Sequence, residues 1–465
     1  MRILPGLTFI DFYADISTMP LTPSDWEQCL QTLHVIARDP QLIDDNPQFK
    51  TLIAKIYRKG RKQAKRRERE NQLASDRAKR ARTLAQRAGQ AQPALLIPDL
   101  SQPFDVLAKA ASCYICKQRY VELHHFYHQL CPACADLNYR KRRQRADLAG
   151  RVVLITGARI KIGYQTALRC LRDGATVYAT TRFPQDALQR YRQEPDYAEW
   201  ESRLWVYGLD LRNVAALHDF ITFMLDHVPQ LDVLINNAAQ TIRRPIAYYQ
   251  HLLSRPTELE SARLLQPEID LLEIAAPQKQ LRDLSRYFPR DEWDEDGLPL
   301  DKREANSWSA TLADVGVREL VEVQLVNSIA PFILCSQLKP LLLKSPHERR
   351  FIVNVSAMEG QFNRPNKTHH HPHTNMAKAA LNMLTRTSAS DYARDHIYMN
   401  SVDTGWITDE NPYPKRMRQK ESGFVPPLDI VDGCTRILDP VYMGLNQADE
   451  PLYGHFLKDY APHAW

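Results

Sequence analysis

At 465 residues, with 44% hydrophobic and 25% charged side chains, the chain has the make-up of an ordinary folded protein and material for about two to four domains. That composition excludes a fibrous or wholly disordered chain. The net charge of +6 is unevenly placed: residues 55–87 hold fourteen Lys or Arg against three acids, a local +11, so the remainder sums to −5.

In chain order, Pro5, Asp11, Asp15 and Pro20 break the apolar N-terminal stretch, and no run approaches membrane length. A cytoplasmic protein without a membrane partner is expected, with its eight cysteines as reduced thiols or metal ligands. Residues 1–56 read as a small helical segment: Thr22-Pro23-Ser24-Asp25-Trp26 resembles a helix start, and Leu30, Leu33 and Ile36 continue at helical spacing. Residues 57–98 read as a basic helical arm running into a linker at 89–98. The cations of 55–87 suit a nucleic-acid backbone or an acidic protein, or else simply solvate a linker helix, and the scarcity of aromatics there argues against base stacking.

Residues 99–148 carry Cys113-x-x-Cys116 and, fourteen residues on, Cys131-x-x-Cys134. Two such knuckles offer four thiolates to one tetrahedral structural zinc. His124, His125 and His128 lie between them as substitutes for one thiol. A closed four-ligand site has no open position for a substrate. A second basic cluster at 140–145 follows, suited to nucleic acid, an acidic protein or plain docking.

From residue 149 the pattern changes. Residues 151–155 form an apolar β-branched run that breaks at Thr156-Gly157, and Ile162, Ala167, Leu168 and Leu171 follow at helical spacing up to Gly174. Strand, glycine turn and helix is the layout that presents free backbone N–H groups to a pyrophosphate. The segment Thr156-Gly157-x-x-x-Lys161-Ile162-Gly163 resembles the dinucleotide loop of the short-chain dehydrogenase/reductase family, with Lys161 where the family has its middle glycine. Further matches come in the family's order: Asp210-Leu211, Asn236-Asn237-Ala238-Ala239, Val326-Asn327-x-x-Ala330, Lys378 and Asn400-Ser-Val-Asp-Thr-Gly405.

The resemblance implies an α/β fold over 149–465: a doubly wound, Rossmann-like parallel sheet, preceded by the basic arm and the zinc module, with an insert at about 241–310. It implies cofactor contacts from Thr156, Gly157, Arg159, Ile160, Lys161, Ile162, Gly163, Arg182, Asp210, Leu211, Asn237, Ala238, Ala239, Lys378, Gly405 and Ile407. The second strand ends at Arg182 without an acid, which suits a ribose 2′-phosphate and so NADP over NAD. A homo-oligomer is also expected. Leu252, Leu265, Ile269, Leu272, Leu281 and Leu284 suggest helices in the insert, which would serve as a lid or a surface subdomain.

The expected catalytic set is incomplete. The family's serine slot holds Ala357, with Ser356 beside it on the opposite face of the strand, and its tyrosine slot holds Thr374. Asn327 and Lys378 remain, and His371 and His373 precede the helix as alternative proton donors. Two classes of function follow: an atypical NAD(P)-linked oxidoreductase of a carbonyl or hydroxyl substrate, or a silent NADP-binding regulator or scaffold whose arm and zinc module engage a partner.

Overall fold

The computed structural model describes residues 21–44, 46–87, 105–253, 263–265, 286–289, 291–294, 297–364 and 367–465. The chain divides into two units, Met1–Ser75 and Asp76–Trp465. In the first, helix α1 (Pro23–Arg38) begins at a capping box in which Thr22 and Asp25 satisfy each other's backbone N–H groups. Helix α2 (Pro47–Ala81) carries the basic run as a helix, as the propensities predict, and its exposed cations include an Arg66–Glu70 pair at 2.8 Å. The linker at 89–98 lies outside the described residues.

The second unit opens with the last turns of α2, where the Asp76 carboxylate accepts N–H bonds from Ala108 (2.7 Å) and Lys109 (3.2 Å). These residues belong to a hairpin, β1 (Val106–Ser112) and β2 (Arg119–Glu122), which is followed by α3 (Pro132–Arg143).

Next comes β3 (Val152–Thr156), buried at every position. It leads to α4 (Lys161–Arg172), β4 (Thr176–Thr181), α5 (Pro184–Arg192), β5 (Leu204–Gly208), α6 (Val214–His227) and β6 (Val233–Asn236). The insert contributes α7 (Ile246–Leu253) and a short edge strand β7 (Leu264–Leu265) that pairs parallel with β5. Leu265 is thus a strand residue rather than a helical one, while Ile269, Leu272, Leu281 and Leu284 lie outside the described residues. The chain continues through α8 (Val317–Gln337), β8 (Arg350–Ser356), α9 (Pro372–Ala393), β9 (Ile397–Asp403), α10 (Tyr413–Glu421), α11 (Ile430–Asn446), β10 (Phe456–Lys458) and β11 (Ala461–His463).

The sheet order is β11-β10-β9-β8-β6-β3-β4-β5-β7, parallel except for the terminal β10–β11 pair. Alternation along β3 fills both faces: Val153 and Ile155 pack with α4 and α11, while Val152 and Leu154 pack with α6 and α8. From β3 the chain winds one way to β4 and β5, then returns to β6 on the other side, so a crevice opens at the carboxyl ends between β3 and β6. Helix α8 is, by length and apolarity alone, of membrane-spanning size, an exception to the expectation that no segment is; here its Val323, Ala330, Leu334 and Cys335 are core residues.

Three cations of the second basic cluster are ion-paired within the fold. Lys141 Nζ reaches Asp439 at 2.6 Å, Arg142 Nη1 reaches Asp429 at 2.6 Å and Asp432 at 3.1 Å, and Arg145 pairs with Asp173. Tyr127 donates to the same Asp432 at 2.5 Å, and Arg436 donates to Asn138 at 2.6 Å. Three of the cluster's cations are thus paired with acids of α11 and its N-cap and of the end of α4, while Arg140 and Arg143 are exposed. Arg142→Ala would leave the buried Asp432 and the half-buried Asp429 without their guanidinium, so urea unfolding of the variant is expected to show a loss of about 3 kcal/mol. A loss near zero would contradict the structural role assigned to this pair.

Candidate functional site

The crevice is a cleft of about 1020 Å³. Its floor is the loop between β3 and α4. Gly157 takes φ +69°, and its N–H donates to Thr180 O at 2.9 Å. The Asn237 side-chain amide donates to Thr156 O (2.9 Å) and Gly157 O (3.1 Å), while Ala238 N–H donates to Thr156 Oγ1 at 3.0 Å. A Cβ on Gly157 would stand 2.9 Å from Ala238 Cα, and one on Gly163 would stand 2.3 Å from Gly157 O and 2.4 Å from Asn237 Nδ2. Both glycines are therefore required by close approach, and the loop and first turn of α4 form a tight cradle open to the cleft. Lys161 adopts φ +55°, the conformation a glycine would take without strain, so the backbone of the loop tolerates its side chain at a cost of about 1–2 kcal/mol. Ile160, Ile162 and Ala239 also line the cleft.

At the end of β4, Arg182 lines the cleft and donates to Tyr249 Oη at 3.0 Å, from α7 of the insert. Burial raises the Tyr249 phenol, but Arg182 and Arg244 beside it outweigh burial and hold it below its ordinary value. Arg244 is itself paired with Asp301 at 3.6 Å, whereas Arg182 meets the neutral Tyr249 hydroxyl. Two expected contacts carry other loads. Arg159 is buried with Nη1 2.7 Å from Asp186. Asp210 gives its carboxylate to Arg212, whose Nη2 lies 2.6 Å away, so this acid stands at the cleft already paired, with Leu211 next to it.

The opposite end holds the catalytic slots. Lys378 on α9 is buried, and its Nζ donates to Val355 O at 2.7 Å. Burial pushes its ammonium down to about 8, against the opposing pull of Glu359. Asn327 sits in a π turn of α8, where its Oδ1 accepts from Gln240 N at 2.7 Å and its Nδ2 donates to Gln240 O at 3.2 Å. Thr374 lines the cleft, but its hydroxyl donates to His371 O at 2.9 Å. Ser356 donates to Asn382 at 2.6 Å, on the α9 side of the strand, and Ala357 offers no polar group. Gly405 (φ +82°) and Ile407 line the wall after β9.

His371 and His373 do not line the cleft. His371 takes φ +41°, which turns its ring flat against Trp308, with centroids 3.9 Å apart and planes at 9°. His373 is buried with Nε2 3.3 Å from Glu319. Neither is among the residues lining the cleft, so the expectation of a histidine proton donor is corrected; nearness along the chain did not give reach.

Sequence reasoning missed Asp403, a buried carboxyl at the end of β9 that lines the cleft and that burial pushes up to about 6. It also missed Tyr114, Ile115 and Lys117, which reach the cleft from the cysteine module. No local signal marks them, because Tyr114 meets Gly405, Trp406 and Lys458, and Ile115 packs in a cluster with Ile162 and Ile407.

The four thiols of that module do come together. The Sγ atoms of Cys113, Cys116, Cys131 and Cys134 all lie within 4.8 Å of one another, with Cys116 and Cys131 at 3.6 Å. Zn–S bonds of about 2.3 Å in a tetrahedron put sulfurs about 3.8 Å apart, which this arrangement fits. The histidines stand outside the cluster among the described residues; His124 Nδ1 accepts from Phe126 N at 3.0 Å.

Family models match twice: residues 151–252 to "short chain dehydrogenase" and 304–420 to "Enoyl-(Acyl carrier protein) reductase". An uncharacterized protein of Acanthamoeba polyphaga mimivirus is 35% identical over 71% of this chain and 71% of its own length. Dehydrogenase/reductase SDR family member 13 of Bos taurus is 37% identical over 21% of this chain and 25% of its own, and retinol dehydrogenase 14 of Mus musculus is 38% identical over 21% and 34%. The chain therefore spans about a quarter to a third of these named enzymes. The NADPH-bound carbonyl reductase from chicken fatty liver aligns with 68% of this chain and 100% of its own, at 19% identity and TM-score 0.44. With the glycine cradle, the Asn237 clasp, the π-turn Asn327 and the α9 lysine in place, the chain belongs to the short-chain dehydrogenase/reductase family.

Proposed function

We propose that the protein is an NADP-linked oxidoreductase that reduces a carbonyl to an alcohol, with Lys378 itself as the proton donor. What supports the cofactor is the cradle at Gly157 and Gly163, which any Cβ would fill, and Arg182 at the cleft, whose guanidinium is bonded to the neutral Tyr249 hydroxyl and suits a 2′-phosphate. When bound, the nicotinamide supplies a hydride to the carbonyl carbon. The oxygen then needs one proton. Thr374 is a poor source, being a weakly acidic alcohol already bonded to His371 O. Lys378 lies one helical turn further on, and the observation that carries the reading is its buried ammonium, lowered to about 8 at the cleft. It transfers an N–H proton to the alkoxide, becomes a neutral amine and recovers a proton from water. Asn327 and Gln240 fix the neighbouring wall through their two mutual hydrogen bonds.

The sign of the pH dependence follows. The donor form is the ammonium, so kcat/KM for carbonyl reduction should be level below about pH 8 and fall as pH rises through it. In the alcohol-oxidising direction the neutral amine is needed and the profile should reverse. Lys378→Met should cost about 10²–10⁴-fold in rate. A profile flat from pH 7 to 9.5 would contradict the assignment, and a protein that binds NADPH but turns over nothing across a broad carbonyl panel would favour the silent binding reading.

Cofactor choice is tested separately. NADPH should bind more tightly than NADH, and Arg182→Ala should reduce that preference about tenfold or more, as expected for loss of a charged hydrogen bond. Equal affinities in the unaltered chain would contradict the assignment of the 2′-phosphate end.

We further propose a structural zinc at the four cysteines. Purified protein should carry about one zinc per chain, and Cys116→Ser should lower both zinc content and Tm. Protein folded at full yield without metal would contradict it. The exposed cations of α2 suit a phosphate backbone or an acidic protein, a separate proposal that the enzyme reading does not need.

A further inference from the structure

Two of the residues lining the dinucleotide cleft, Tyr114 and Ile115, are the pair enclosed by Cys113 and Cys116. The knuckle is therefore not remote from the site: its tip is part of the wall. Tyr114 Oη accepts the N–H of Trp406 at 2.9 Å, directly after Gly405, and would stand 3.8 Å from a Cβ placed on Gly405. Ile115 belongs to one apolar cluster with Ile162, in the first turn of α4, and Ile407. Lys117 takes φ +64°, folds back so that its ammonium donates to Tyr114 O and lies 5.1 Å from the Tyr114 ring centroid, and faces the same cleft. Lys117 and Lys161 thus both contribute a cation to the cleft lining.

The turn that presents these side chains is packed into the module's own apolar cluster, and Ser112 Oγ donates to Lys117 O at 2.8 Å. Its own backbone bonds are Cys113 N to Gln118 O at 2.9 Å, Lys117 N to Cys113 O at 3.2 Å and Tyr114 N to Gln129 O at 2.9 Å. A metal on both flanking thiolates would fix the Cys113–Cys116 turn against Cys131 and Cys134, and with it the position of Tyr114, Ile115 and Lys117.

We propose that the four-cysteine module is a wall of the cofactor site, so that metal bound at the thiols and dinucleotide bound in the cleft strengthen each other's binding. The proposal rests on the NADP and zinc readings above. Because coupling between two binding sites is reciprocal, it is measured from either side.

The test uses the full chain, zinc-loaded and after zinc removal with dipicolinate. NADPH affinity, read by fluorescence titration, should fall about fivefold or more on zinc removal and return when zinc is restored. Saturating NADPH should raise the equilibrium zinc affinity, read by competition with a chromogenic chelator, by the same factor. Lys117→Ala carries the same test without removing metal: in the zinc-loaded protein it should weaken NADPH about fivefold while zinc content is unchanged. Equal NADPH affinity with and without zinc, or an unaltered affinity in zinc-loaded Lys117→Ala, would overturn the coupling and leave the NADP reading standing. A zinc-loaded chain that binds no NADPH would overturn that reading, and the coupling with it.

Discussion

The Asn237 side-chain amide bridges the carbonyls of Thr156 and Gly157, and it does so with room for nothing larger than hydrogen on Gly163. This contact joins the end of β6 to the turn after β3, the two strands between which the winding of the sheet reverses. It thereby sets where the crevice opens and how the first turn of α4 points into it. Everything attributed to the site is positioned from there: Arg182 one strand to one side, Lys378 and Asn327 on helices packed to the other.

The proposed proton transfer rests on the same geometry. With a phenol absent from the Thr374 position and the threonine hydroxyl engaged with its own helix start, the ammonium of Lys378 is the acid left facing the cleft from α9. Burial, which makes a lysine a stronger acid, is what an interior helix position provides without any special residue. Asp403, pushed the other way to about 6, adds a second group that changes charge near neutrality at the same end.

Much of the fold was legible because its signals are local. The buried run of β3, the glycines that permit close approach and the cysteine spacing each report their own surroundings, and the fold has them as read. What was not legible depended on contacts between distant segments. The cations at 140–145 looked free because Asp429, Asp432 and Asp439 come almost three hundred residues later. Tyr114 is separated from Trp406 by 292 positions, so nothing in the knuckle hinted at the cleft. The histidines failed for the opposite reason: they are near Lys378 in sequence, but the left-handed turn at His371 sends them to Trp308 and Glu319.

The claim that a lysine has taken over proton delivery is tested most directly by titrating that lysine. NMR of protein carrying ¹³C at the lysine ε-carbons, with Lys378→Arg to assign its signal, reports the Lys378 ammonium without any substrate. The account predicts a midpoint near the value of about 8 that its burial imposes. A midpoint at the ordinary lysine value of about 10.4 would contradict it.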